Sequence, residues 1–164
     1  ATVGPEPVWT MSTANATHDR LFATTLDVTG PGSVPVELTG LPAQVGSGPA
    51  ILSDIPGDIR FDASNPLGCT AFPAGFFSGA IALISRGDCN FADKVNNAAA
   101  AGAIAVVVYN NTGITPFAMG GLEATAIPSV MLGKPDGEAV RDWVLGNTGA
   151  TARINAWAET GLTR

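Results

Sequence analysis

The residues able to do chemistry in this 164-residue sequence are few and widely spaced. A Ser-His-Asp or Cys-His site needs a histidine as its base, and the only histidine is His18, in an irregular leading segment. No Gly-x-Ser-x-Gly nucleophile elbow is present. We therefore predict no catalytic constellation in this chain. An independent hydrolase is the alternative, and a turnover assay would expose it.

The best acidic cluster consists of Asp54, Asp58 and Asp62, which recur every four residues. Pro56 and Gly57 stand inside it, so a helix cannot align the three carboxylates. We predict that they are surface acids in turns, with a calcium site as the alternative, although the ligand spacing of an EF-hand is absent. The sequence thus predicts no metal and no cofactor.

The two cysteines, Cys69 and Cys89, are separated by about 20 residues and have no CxxC spacing and no neighbouring histidine, so a zinc site is not predicted. We predict a disulfide, with two buried free thiols as the alternative. Closing a loop of this length stabilises a fold by roughly 3 kcal/mol in the chain-entropy model. Disulfides form in oxidising compartments, so we expect a secreted, extracellular or cell-envelope protein.

Composition narrows the classes of partner. The net charge is −6, and the 8 Lys and Arg residues are scattered singly, so no basic surface for nucleic acid is predicted. No apolar run approaches the roughly 18 residues of a membrane span. A hydrophobic content of 46% with 13% charged residues indicates an ordered globule, and the length suits one domain over residues 1–164. Residues 1–50 would form a β-rich edge whose start could be a linker.

The middle of the sequence predicts a strand, a helix and a second strand. Ala80–Ser85 and Ile104–Tyr109 are apolar and β-branched, as in buried strands. Between them, Asn90 can cap a helix over Phe91–Gly102 whose inner face carries small residues. Such a unit implies a parallel strand pair with a right-handed crossover.

The flanking segments predict further short elements. Pro128 would confine its strand to an edge or a bulge, and Pro135 suits the first turn of a helix. The predicted strands are Leu21–Val28, Val34–Leu38, Ala50–Leu52, Ala126–Leu132 and Ala150–Trp157; the helix is Lys134–Gly146; the turns are Ile55–Asp58 and Asn65–Gly68.

A spaced motif runs through the central unit. It comprises Arg86-Gly87, Cys89, Phe91, Lys94, Asn97-Ala98 and Ala101-Gly102-Ala103, followed by an apolar strand that ends at Tyr109-Asn110. Gly68-Cys69 precedes it, and Ile127–Val130 follows it. This pattern resembles the protease-associated (PA) domain, over about Ile51 to Ile154. The resemblance implies an α/β fold, a β-sandwich or open barrel flanked by short helices, with Arg86, Gly87, Phe91, Lys94, Asn97 and Gly102 as structural residues of the βαβ corner.

The resemblance also implies a role in molecular interaction and no catalytic activity of the domain itself. PA domains look like interaction modules of extracellular or cell-envelope peptidases, here a subtilisin-like or zinc peptidase, and present substrates or restrict access to the active site. The expected partner is a peptide or protein substrate, an adjacent protease catalytic domain, or both. A stand-alone ligand- or cargo-binding ectodomain without a protease is the alternative.

The loop that follows Tyr109 is the candidate binding loop, because ligands bind beyond the carboxyl ends of strands in open α/β sheets. Its candidate residues are Asn110, Asn111, Ile114, Phe117, Met119 and Leu122. Exposed Phe and Met side chains would anchor a peptide; the alternative is that they pack into the core. A peptide could instead pair with the predicted edge strand Ala126–Leu132. Asn15 and Asn110 also begin glycosylation sequons.

Overall fold

The computed structural model describes residues 22–159. In this range the chain forms eight strands, two α-helices and one short 3-10 helix. The strands are β1 (Phe22–Gly30), β2 (Leu41–Pro42), β3 (Gln44–Val45), β4 (Ile55–Arg60), β5 (Ile81–Ser85), β6 (Ala105–Tyr109), β7 (Ser129–Leu132) and β8 (Thr151–Glu159). The helices are α1 (Phe91–Ala100) and α2 (Lys134–Gly146), and the 3-10 helix is Val36–Leu38.

The predicted βαβ unit is confirmed, with β5 and β6 parallel and α1 as the crossover between them. Side chains of these strands alternate between two apolar clusters. Ile81 and Leu83 lie in the cluster that also contains Leu26 and Ile154, whereas Ala82 and Ile84 lie in the cluster that contains residues of α1. Both faces are therefore covered, which explains why the sequence of β5 is continuously apolar rather than alternating.

The two helices cover opposite faces of the parallel strands, and glycines let the backbone approach closely. Val95 and Ala98 of α1 belong to one cluster, and Val140 of α2 belongs to the other. At Gly137 in α2, an added methyl group would overlap the side chain of Tyr109 in β6. Gly102, beyond the end of α1, has φ +95° and would place a Cβ 2.8 Å from Ser78 Cα.

The sheet curls so that its two ends are joined by one short segment. Its strand order is β2-β1-β8-β4-β5-β6-β7-β3. The first and last strands in this order, β2 and β3, are separated along the chain only by Ala43. Leu41–Val45 therefore pairs with β1 at one end and with β7 at the other, which gives the open barrel that the sequence predicted.

Two of the predicted N-terminal strands are wrong. Val34–Leu38 was predicted as a strand, but Val36–Leu38 forms a 3-10 helix. Pro35, at φ −58°, precedes its first turn, and Thr39 Oγ1 donates to the carbonyl of Val36 at 2.7 Å, so local capping outweighs β-branched propensity. Ala50–Leu52 forms no regular element, and Leu52 is exposed. The predicted strand Leu21–Val28 corresponds to β1 over its described residues.

A predicted turn and a predicted edge also require correction. Ile55–Asp58 belongs to strand β4. This half of β4 pairs only with β8, because β5 pairs first at Ile59, so a proline without an N–H donor is tolerated at Pro56. Ala126–Leu132 is not an open edge: only its last four residues form β7, which lies between β6 and β3. Val130 and Met131 pair with β3, so a peptide cannot add to the sheet there.

Candidate binding cleft and its stapled corner

Cys69 and Cys89 form the predicted disulfide, with their Cα atoms 5.7 Å apart. The bridge joins the loop that precedes β5 to the turn that follows it. Within residues 22–159 no free cysteine remains. The alternative of two free thiols is therefore wrong, and the turn after β5 is covalently held.

Lys94, on α1, also stabilises this corner, where the loop before β5, the turn after β5 and the start of α1 meet. Its side chain is fully buried, and Nζ donates to three backbone carbonyl oxygens, those of Leu67 at 2.6 Å, Gly87 at 2.7 Å and Ser85 at 3.0 Å. These carbonyls belong to the loop before β5, the turn after it and the end of the strand itself. One ammonium group thus donates to acceptors from three segments, and the carbonyl of Gly87 also accepts from the N–H of Cys89 at 2.8 Å.

Burial lowers the pKa of Lys94 from 10.5 to about 8, while the negative charges of Asp88 and Asp93 act in the opposite direction. The side chain is therefore an ammonium at neutral pH. One turn further along the helix, Asn97 Nδ2 donates to the carbonyl of Gly68 at 2.8 Å. The predicted motif residues from Arg86 to Asn97 thus lie around this corner, with α1 held on the loop that carries Cys69, whereas Gly102 lies beyond the other end of α1, beside Ser78.

Arg86 connects this corner to the loop after β6. Its backbone N–H donates to the carbonyl of Tyr109 at 3.0 Å, and Nη1 donates to Asn110 Oδ1 at 2.8 Å. The guanidinium carbon lies 4.9 Å from the ring centroid of Phe117, a cation–π geometry. The Phe117 ring also meets Phe91 of α1 edge to face, with centroids 6.0 Å apart. Phe117 is thus the point where the loop rests on the corner.

A cleft of about 540 Å³ lies between the corner and this loop. One wall is the turn from Arg86 to Asn90 with the start of α1, and the other consists of Asn111, Gly120 and Gly121. Asp88, which lines the cleft, has the left-handed conformation at φ 63°. Asn111 was among the predicted binding residues at the carboxyl end of β6, whereas the turn from Arg86 to Asn90 was not predicted to line a cleft.

The candidate loop residues divide between surface and core. Ile114 is 77% exposed and Phe117 is 37% exposed, so both can touch a partner. Met119 and Leu122 are fully buried in the core cluster with α1, so the expectation that they contact a partner is corrected. Asn111 is exposed and lines the cleft.

Asn110 is a structural residue. It is buried, and its Oδ1 accepts hydrogen bonds from Arg86 and from the backbone N–H of Asn111. The sequon that begins at Asn110 therefore offers no accessible amide to a glycosyltransferase. Asn15 and His18 lie outside the described residues.

The three carboxylates of the acidic cluster are used separately. Asp54 Oδ1 accepts from the N–H of Ala156 at 2.9 Å, Asp58 pairs with Arg60 at 3.0 Å, and Asp62 accepts from Ser64. In the described part of the chain, no three His, Cys, Asp or Glu side chains form a group that could hold a metal ion. Neither helix between residues 22 and 159 has the length and apolar character needed to traverse a bilayer.

Comparisons with known proteins agree on one family. The family model of the PA domain matches residues 48–140. An aminopeptidase of Pseudomonas aeruginosa is 44% identical over 71 residues, which cover 42% of this chain and 13% of that protein. Aminopeptidase YwaD of Bacillus subtilis is 48% identical over 66 residues, which cover 38% of this chain and 14% of that protein.

A zinc aminopeptidase of Bacillus subtilis shares the fold, with a TM-score of 0.60 and 28% identity over 85% of this chain and 31% of that structure. The chain therefore corresponds to only a small part of the peptidases it matches.

Proposed function

The chain belongs to the PA domain family, and from that premise we propose that it is a non-catalytic interaction module of an extracellular or cell-envelope peptidase. It recognises a peptide or protein substrate, or it positions an adjacent catalytic domain. The proposal depends above all on one observation: the matched region makes up 13% of an aminopeptidase that otherwise consists of other sequence. An accessory role beside a catalytic domain accounts for such a match.

The cleft supports a role in binding. Phe117 contacts Arg86 and Phe91, two residues that line the cleft, and Ile114 of the same loop is exposed, although Phe117 and Ile114 do not line the cleft themselves. Exposed apolar side chains next to a concave surface are typical anchors for a peptide or protein partner. The disulfide supports an oxidising location, because cytosolic thiols are kept reduced.

Binding is tested by titrating the 164-residue chain with peptides from a casein digest and following amide chemical shifts by NMR. We expect shifts at Ile114, Phe117 and Asn111, and at least about tenfold weaker binding for Phe117→Asp or Ile114→Asp. Leu145→Asp is the matched control, because Leu145 is an exposed apolar residue of α2 outside the cleft. Equal loss of affinity in the control, or shifts confined to other surfaces, would contradict the proposal.

An independent hydrolase is tested in the same preparation. We expect no turnover of casein, aminoacyl nitroanilides or simple esters, and activity that follows the chain through purification would overturn the non-catalytic assignment. The stand-alone ectodomain is separated from the peptidase module by the sequence on either side of this chain. Motifs of a peptidase active site there favour the module, and a membrane anchor without such motifs favours the ectodomain.

A further inference from the structure

The two sulfur atoms of the disulfide occupy different surroundings. Cys89 lines the cleft, together with Asp88 and Asn90, so a small molecule in the cleft can reach its side chain. Cys69 is also partly exposed, but it does not line the cleft, and it lies beside the buried side chain of Lys94. The distance between Lys94 Nζ and Cys69 Sγ is 3.9 Å.

This asymmetry matters for thiol–disulfide exchange. An attacking thiolate reaches the more accessible sulfur, and the reaction is faster when the leaving sulfur is stabilised as a thiolate. A neighbouring cation provides that stabilisation by lowering the pKa of the leaving thiol. Here Cys89 is the cysteine that lines the cleft, and the sulfur next to the cation is that of Cys69.

We propose that the disulfide is a modification site for low-molecular-mass thiols, at which a thiolate attacks Cys89 Sγ from the cleft and Cys69 Sγ leaves as a thiolate beside the Lys94 ammonium. A new S–S bond forms between the incoming sulfur and Cys89, and the Cys69–Cys89 bond breaks. Its electron pair remains on Cys69 Sγ, so the step consumes one thiolate and releases another. This proposal is independent of the interaction role.

The charges around the leaving sulfur favour this direction. Burial lowers the pKa of Lys94 to about 8, and the carboxylates of Asp88 and Asp93 act in the opposite direction, so Lys94 is an ammonium at neutral pH. The carbonyl oxygens of Gly87 and Leu67 lie 3.5 Å and 3.8 Å from Cys69 Sγ and oppose a negative charge there. Both carbonyls already accept hydrogen bonds from Lys94, however, which reduces their opposition.

Peptide mapping of the native chain tests the direction of attack. The folded protein is incubated with excess glutathione, quenched with N-ethylmaleimide and digested with trypsin. Arg86 and Lys94 place the two cysteines in separate peptides, residues 61–86 and residues 87–94. We expect the glutathione adduct on Cys89 and the maleimide on Cys69, with at least about tenfold preference over the reverse. An adduct mainly on Cys69, equal labelling, or no adduct without denaturant would overturn the proposal.

Variants isolate the part played by the ammonium. Lys94→Met should slow adduct formation by about tenfold, whereas Lys134→Met, which removes the chain's other lysine, should leave the rate unchanged. Because Lys94→Met could fail to fold, the single variants Cys89→Ser and Cys69→Ser provide an independent measurement. The alkylation profile should give Cys69 a thiol pKa at least about one unit below that of Cys89. A Cys69 pKa at or above that of Cys89 would contradict the assigned leaving group.

Discussion

The corner around Lys94 and the loop from Asn111 to Ala118 lie at the same end of the parallel strands, yet they are built in opposite ways. In the corner, a disulfide and an ammonium group bind three segments together, and the carbonyl oxygens that face inward have donors. In the loop, Asn111 is the only residue whose backbone N–H donates to another described residue. The loop is held by Phe117, which contacts Arg86 and Phe91, and by its carbonyls of Gly113 and Thr115, which accept from the Lys134 N–H and from Asn110 Nδ2.

The difference means that substitutions in the two regions should affect folding stability unequally. Buried polar networks are costly to disturb because each acceptor left without a donor keeps its full desolvation penalty. Exposed loop residues make few internal contacts, so they can change with little effect on folding. The loop can therefore vary while the corner keeps the cleft in place.

The largest contrast should appear between the two lysines. Lys94→Met removes charged hydrogen bonds to three carbonyl oxygens, of which only that of Gly87 keeps a second donor, the N–H of Cys89, and we expect it to lower the free energy of unfolding by about 3 kcal/mol. Lys134→Met removes only a partly exposed ion pair with Glu138 and should cost less than about 0.5 kcal/mol. Urea unfolding at neutral pH measures both, and similar losses would show that the corner has no special role.

The same corner should titrate abnormally. Selective observation of lysine 13Cε signals should give Lys94 a midpoint near pH 8, because burial lowers its pKa to about 8. The unfolded chain keeps this proton up to about pH 10.4. It therefore binds more protons than the folded chain between these pH values, and the contribution of Lys94 makes the folded state more stable as pH rises through that window. A Lys94 midpoint above pH 10 would contradict the buried position.

A third contrast tests close packing at this end of the sheet. Gly137→Ala places a methyl group on the side chain of Tyr109, so we expect it to destabilise the protein by about 2 kcal/mol despite the helical preference of alanine. Gly146→Ala lies in the same helix with nothing within 4 Å of the added Cβ, and should be neutral or slightly stabilising. Thermal melts of the two variants give the comparison. A Gly137→Ala protein as stable as the parent would show that the backbone of α2 does not approach the Tyr109 side chain of β6 closely.

The smallest effects should come from the loop. Phe117→Ala loses its contacts with Arg86 and Phe91, worth about 1 kcal/mol at a partly exposed site. Ile114→Ser should fall within about 0.5 kcal/mol of the parent, because Ile114 is 77% exposed. Chemical denaturation checks both values. A loss comparable with that of Lys94→Met would place the loop in the folding core.

The corner was largely predictable because its signals are local. The apolar run of β5, the small inner face of α1 and the residues from Arg86 to Gly102 stand close together in the sequence, and their pattern determines both the elements and their contacts. The Cys69–Cys89 pairing was also predictable, since the described chain has no other thiol to compete.

The loop and the edges were less predictable because they depend on distant partners. Phe117 meets Arg86 across 31 positions, and nothing in the glycine-rich loop distinguishes the exposed Ile114 from the buried Met119 and Leu122. Likewise, Pro56 fits within β4 only because β5 begins its pairing further along the strand. The proline and glycine of this segment predicted a turn, but its pairing with β8 makes it part of a strand.

Hydrogen–deuterium exchange of the intact chain tests the contrast between the two regions most directly. We expect the backbone amides of β5, α1 and β6 to exchange only through global unfolding. We expect those of residues 112–118 to exchange close to the rate of an unfolded peptide. Comparable protection in the loop, or early exchange across Lys94 and its neighbours in α1, would contradict a fixed corner that supports a freely presented loop.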